Sequence, residues 1–165
     1  ALIMTLDKNN NCRILSPLLI NHNKSIQNSM RVIPNLFLFI FRLFNINQQN
    51  YAKNITTITE VPFVHGACLL MRSFDFFTLG GFNDKYFLYC EDLDLCRRVI
   101  NSDMSILVSP FVQVIHSHNR ASRKSFKLFL IHFYSILLYF SIWGLFLNKK
   151  EKYANHLLNK LTIQS

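Results

Sequence analysis

Over its first two thirds the chain alternates short apolar runs with polar breaks, and then its character changes. The apolar run 1–6 reads as a strand, 7–11 as a turn and 12–15 as a returning strand, so a hairpin is expected at the start. Residues 21–28 are polar and read as a loop. Pro34 precedes a dense apolar run, 36–44, interrupted only by Arg42. Proline is tolerated in a first helical turn, so a helix is expected there. Residues 45–54, rich in Asn and Gln, read as a mobile loop. The run 61–71 is nearly continuous in apolar character, with Gly66 and Ala67 at its middle. It reads as a buried strand whose small residues mark a close approach to the backbone. Ser73 is placed to cap a short helix through Leu79, which Gly80–Gly81 ends. Residues 91–100 have helical spacing, with Leu93, Cys96 and Ile100 on one face. Two short strands, 105–108 and 111–115, flank Pro110.

The last third is almost uniformly apolar over 126–147, with Lys127 and His132 as the ionisable exceptions. Such a run is long enough to cross a membrane. Basic residues flank it on both sides, Arg120, Arg123 and Lys124 before and Lys149, Lys150 and Lys152 after, a pattern that fits a helix lying at a membrane interface. A core-packed helix is the third option. The chain is thus expected to divide into a body over 1–120 and a helical extension over 121–165.

Composition narrows the partners. The 165 residues suffice for one domain with a core, and half are hydrophobic, which excludes a disordered protein. Lys and Arg number 18 against 9 acids, a net charge of +9, so the chain favours anionic partners. There are 16 Phe, and they lie mostly in apolar runs; no nucleic-acid-binding motif accompanies them, so nucleic acid is not the expected partner. The 4 cysteines form no C-x-x-C pair, which argues against a zinc ribbon or a thioredoxin-type site and for buried thiols in a reducing compartment. The chain opens on Ala, directly in an apolar run, so a piece of a longer protein is expected.

The chemistry concentrates in 80–98, GGFNDKYFLYCEDLDLCRR. Three carboxylates, Glu91, Asp92 and Asp94, fall within four residues where a helix begins, and a helix N-terminus favours negative charge. Asp94 and Arg98 stand four apart and are expected to pair as scaffold. An exposed carboxylate here is able to act as a general base if it reaches a hydroxyl within hydrogen-bonding distance. A neighbouring like charge raises its pKa and the helix terminus lowers it.

The order Gly80-Gly81-Phe82, Asp84, Tyr86-Phe87, Tyr89, Glu91-Asp92-x-Asp94 and Arg98 resembles the second half of the family 2 glycosyltransferases, above all the bacterial rhamnosyltransferases of O-antigen assembly. Upstream, His65-Gly66-Ala67 through Arg72 resembles their Gly-Ala strand, and downstream Val114-Ile115-His116 resembles their strand ending in a His. The match is strong over about residues 61–126 and general before. It implies an α/β fold, the C-terminal half of a GT-A (nucleotide-diphospho-sugar transferase) fold with a mixed sheet and a C-terminal helical extension. It implies an inverting transfer with Asp92 as base, Gly66, Ala67 and Glu91 at the acceptor, and His116 holding a divalent metal, Mg or Mn. The implied partners are a nucleotide-sugar donor such as dTDP-rhamnose, a polyprenyl-diphosphate-linked acceptor and an anionic membrane surface. The implied location is peripheral, at the cytoplasmic face of the inner membrane. Arg120, Arg123 and Lys124 are candidates for phosphate contacts. The family's nucleotide-binding βαβ units and its Asp-x-Asp or Asn-Pro-Asp motif have no counterpart in 1–60, so this chain taken alone is expected to be inactive. The alternative is a non-catalytic membrane-associated protein.

Overall fold

The strand β1 (Cys12–Ile20) is buried along nearly its whole length, as expected of a strand whose two faces are both covered. The structure, a computed structural model, describes residues 1–43, 49–117 and 125–160; His118, Arg120, Arg123 and Lys124 lie outside them. Ahead of β1, residues 1–6 belong not to a strand but to a helix, α1 (Leu2–Lys8). The expected hairpin is therefore a helix followed by a strand. Leu2 and Leu6 stand four apart and face β1 and Leu70, while Ile3 and Met4 are exposed. An apolar run this short does not reveal its period, which is why the strand reading failed.

After β1 come β2 (Met30–Arg31), α2 (Leu36–Leu43) and a short 3-10 turn over Tyr51–Asn54, within the stretch expected to be a loop. The run 61–71 is not one strand. β3 (Thr59–Glu60) ends just before it, a separate strand β4 (Phe63–Val64) lies within it, and the chain turns at Gly66. Pro62, lacking an N–H, separates the pieces, and they pair with different partners: β3 with the later strand β5 (Ser105–Ile115), β4 with β2.

The helix α3 (Ser73–Thr78) follows. Ser73 is its first residue rather than its cap; Arg72 takes the cap position without a side-chain cap bond. Gly80 and Gly81, at φ of 83° and 65°, end it as expected, their N–H groups donating to Phe77 and Phe76. Next comes α4 (Glu91–Asn101) and then β5.

The main sheet has the order β1-β5-β3, with β1 parallel to β5 and β3 antiparallel to it. The chain is thus mixed α/β with a mixed sheet. Pro110 does not divide β5 into two strands. It opens a bulge: Pro17 pairs with Ser109 and Leu18 with Gln113, so residues 110–112 are passed over.

The C-terminal residues form α5 (Phe126–Trp143) and α6 (Lys149–Lys160). Both pack on α4 and share its core: Tyr139 and Leu158 are buried in one cluster with Leu95, Cys96 and Val99. A buried ion pair joins them. Arg97 Nε and Nη2 donate to Glu151 Oε1 and Oε2 at 2.7 and 2.6 Å, with side-chain exposures of 2% and 0%. Arg97 Nη1 also donates to Tyr139 Oη at 2.9 Å, and the guanidinium lies 4.6 Å from the Trp143 ring centre. Asn148 N–H and Asn101 Nδ2 complete the shell around Glu151, each at 3.0 Å.

Candidate functional site

A strained turn sets the start of α4. Tyr89 and Cys90 both adopt left-handed backbone, at φ of 69° and 66°, an uncommon state for residues with side chains. From this turn Glu91 and Asp92 emerge in the first helical turn. The turn is held from the C-terminal side: Ser135 Oγ donates to the carbonyl of Leu88 at 2.6 Å, and the His132 ring lies 4.5 Å from that of Tyr89.

Asp92 is half-buried, not exposed. Its Oδ2 accepts the Gly66 N–H at 2.8 Å and its Oδ1 accepts the Leu93 N–H at 2.8 Å. Burial pushes its pKa up to about 6, opposed by the Gly66 hydrogen bond and reinforced by the Glu91 charge. The carboxylate is thus poised near neutrality while each oxygen retains a lone pair for a ligand hydroxyl.

Gly66 contributes through its backbone. A Cβ there would stand 3.1 Å from the Asp92 Cβ. Gly66→Ala is expected to push the carboxylate off the amide and to raise the Asp92 pKa, because a bond favouring the charged form weakens. The loss of stability should be about 1 kcal/mol. Carboxyl-carbon NMR titration of Asp92 checks the first; an unchanged pKa would refute it. Ala67, next in the turn, is exposed. Glu91 does not hydrogen-bond to Asp92; its Oε2 is buried with no partner among the described residues.

Asp94 is scaffold, as the four-residue spacing to Arg98 foretold. Its Oδ2 accepts Arg98 Nε at 2.9 Å and its Oδ1 accepts Trp143 Nε1 at 2.7 Å. Arg98 Nη1 also donates to the carbonyl of Leu79.

His116 follows the end of β5. Its Nδ1 lies 3.1 Å from Gln27 Oε1, and its N–H donates to Ile20 O at 3.0 Å. A short turn joins α4 to β5, so the start of α4 and the end of β5 point toward the same end of the sheet. Ligands gather at the carboxyl ends of parallel strands in open α/β sheets. Among the described residues, no group of three or more His, Cys, Asp or Glu surrounds a common point. His116 with its described neighbours therefore does not by itself make a metal site.

No family model matches the chain. It is 34% identical over 114 residues to the rhamnosyltransferase WbbL of Escherichia coli K12, a match covering 67% of this chain and 43% of that protein. The chain is similar to bacterial rhamnosyltransferases. A second relative, the N-acetylglucosaminyl-diphospho-decaprenol L-rhamnosyltransferase of Mycobacterium tuberculosis, is 35% identical over 81 residues, 42% of this chain and 26% of that protein. The chain spans less than half the length of either relative.

Sequence reasoning missed three parts of the site. The left-handed pair Tyr89–Cys90 carries no glycine to signal it. The Gly66 amide was expected under an acceptor sugar rather than on Asp92. Ser135 and His132 lie more than forty positions from the turn they hold. Their polar character within a mostly apolar helix was the local sign of them.

Proposed function

We propose that this chain is the acceptor-side, base-carrying part of an inverting glycosyltransferase of GT-A type and of glycosyltransferase family 2. The observation that carries the reading is Asp92: a carboxylate at a strained helix start, fixed by the Gly66 amide and poised at about pH 6. In the proposed reaction an acceptor hydroxyl hydrogen-bonds to Asp92. As its oxygen attacks the anomeric carbon, the proton passes to the carboxylate. The bond from the anomeric carbon to the diphosphate oxygen breaks, the nucleoside diphosphate leaves with the electron pair, and the configuration inverts. Glu91, beside Asp92 in the first turn of α4, is the proposed second contact to the acceptor. Gly66 and Ala67 leave room for the sugar.

The names of the relatives support rhamnose as the sugar and a diphospho-polyprenol-linked sugar as the acceptor. The reading includes a dTDP-rhamnose-like donor, O-antigen or other cell-surface polysaccharide assembly, and a peripheral position at the cytoplasmic face of the inner membrane. A divalent cation at the donor diphosphate, with His116 as one ligand, also belongs to the reading.

The test is a chimera in which this chain replaces the matched segment of the E. coli relative. Transfer of labelled rhamnose from dTDP-rhamnose into lipid-extractable product is expected. A chimera that folds by circular dichroism but labels no lipid, with the parent enzyme active alongside, overturns the reading.

A further inference from the structure

The outer faces of α2 and α5 carry apolar side chains that no described residue covers. On α5, Phe126, Phe133 and Leu137 are exposed, and their spacing puts them on one stripe. On α2, Phe37 and Phe41 are exposed in the same manner. The two helices adjoin. Phe39 meets Phe140 edge-to-face at 5.8 Å, and the Leu36 N–H donates to Leu145 O at 3.2 Å.

Length and composition alone would let α5 cross a membrane: it has 18 residues and only 22% of them are buried. At 1.5 Å per residue it is about 27 Å long. Its inner face argues otherwise. Tyr139 and Trp143 hold Arg97, and Arg97 holds Glu151, so a crossing α5 would draw a buried ion pair and the body of the protein into hydrocarbon. A helix in the plane of the interface needs what α5 has: one face packed on protein, one face for lipid, and cations at the border. Lys127 lies at the edge of the stripe, and Lys149 and Lys152 are exposed just past its end. Their charge, within a total of +9, matches an anionic surface.

We propose that α2 and α5 form one platform that lies on an anionic bilayer, with α5 parallel to the surface. The platform also carries the Asp92 turn. Through Ser135 on Leu88 and His132 on Tyr89, α5 grips the segment that leads into Glu91 and Asp92, and Phe87 beside it is 83% exposed. The purpose of this arrangement, delivering the base to a lipid-borne acceptor, rests on the function proposed above; the binding does not.

The test is co-sedimentation of the chain with vesicles of phosphatidylcholine and phosphatidylglycerol, compared with phosphatidylcholine alone. Binding should need the anionic lipid, weaken with salt, and be released by alkaline carbonate. The triple variant Phe126→Ser/Phe133→Ser/Leu137→Ser changes only exposed positions, and circular dichroism verifies its fold. It should bind at least about tenfold more weakly. Binding equal to the parent chain, resistance to carbonate, or a dimer that the triple variant dissociates in the absence of any vesicle binding would each overturn the proposal. The transfer assay of the chimera reads the activity separately, so either reading is able to fail alone.

Discussion

Asp92→Asn in the chimera is expected to lower transfer by about 10²–10⁴-fold, the usual contribution of a positioned general base. Asparagine keeps the shape and one oxygen to accept the Gly66 N–H while giving up the Leu93 N–H bond, so the site stays largely assembled and acceptor binding should change little. The pH profile supplies an independent signature. The parent should lose activity as pH falls through about 6, where Asp92 takes up its proton. The variant's residual rate should lack that limb. Stability runs the opposite way. Burial raises the folded-state pKa from 3.8 to about 6, so the folded chain holds a proton that the unfolded chain has released. This group's favourable contribution is complete below about pH 4 and is lost as pH rises through about 6. Asp92→Asn should therefore fold as well as the parent, or better, at neutral pH. Urea melts at pH 5 and pH 8 check this. A variant that loses activity only because it unfolds would sink the base assignment.

Removing one partner of the Arg97–Glu151 pair is expected to cost about 3–5 kcal/mol, because the other is left as an uncompensated buried charge. Arg97 is enclosed by Glu151, Tyr139 and the Trp143 ring, with no path to solvent for the orphaned group. Arg97→Met and Glu151→Leu should each shift the urea midpoint by an amount that approaches the whole stability of a domain this size. The double variant should recover much of the loss, since an apolar pair of similar volume avoids desolvating two ions. A double variant as unstable as the singles would show that neighbouring packing, not charge, dominates.

What was legible in the sequence depended on how local its cause was. The α4 helix, the Gly80–Gly81 stop and the Asp94–Arg98 pair are set by residues within a few positions of one another, and each was found. The strand over 61–71 was misread because apolar content does not record which partner each piece meets; Pro62 was the one local sign of the break. The bulge at 110–112 was half visible. Proline marked the place, but the register against β1 decides that the strand continues beyond it. In the site, Asp92 is a candidate from its surroundings in the sequence, whereas its hydrogen bond to Gly66 spans 26 positions and leaves no local trace. Arg97 was the hardest to read. It sits beside the apolar face of α4, and its partner Glu151 lies 54 positions on in α6, within the expected helical extension but with no local sign of the pairing.

The 54 positions between Arg97 and Glu151 also put a clock on the molecule's birth. A chain emerges from the ribosome at about 5–20 residues per second, so the arginine exists for roughly 3–11 seconds before its partner has been made. For that interval α4 has no neutralising carboxylate to dock against, and its guanidinium must stay in water. The helix that begins with the proposed base cannot take its final seat until synthesis has passed Glu151.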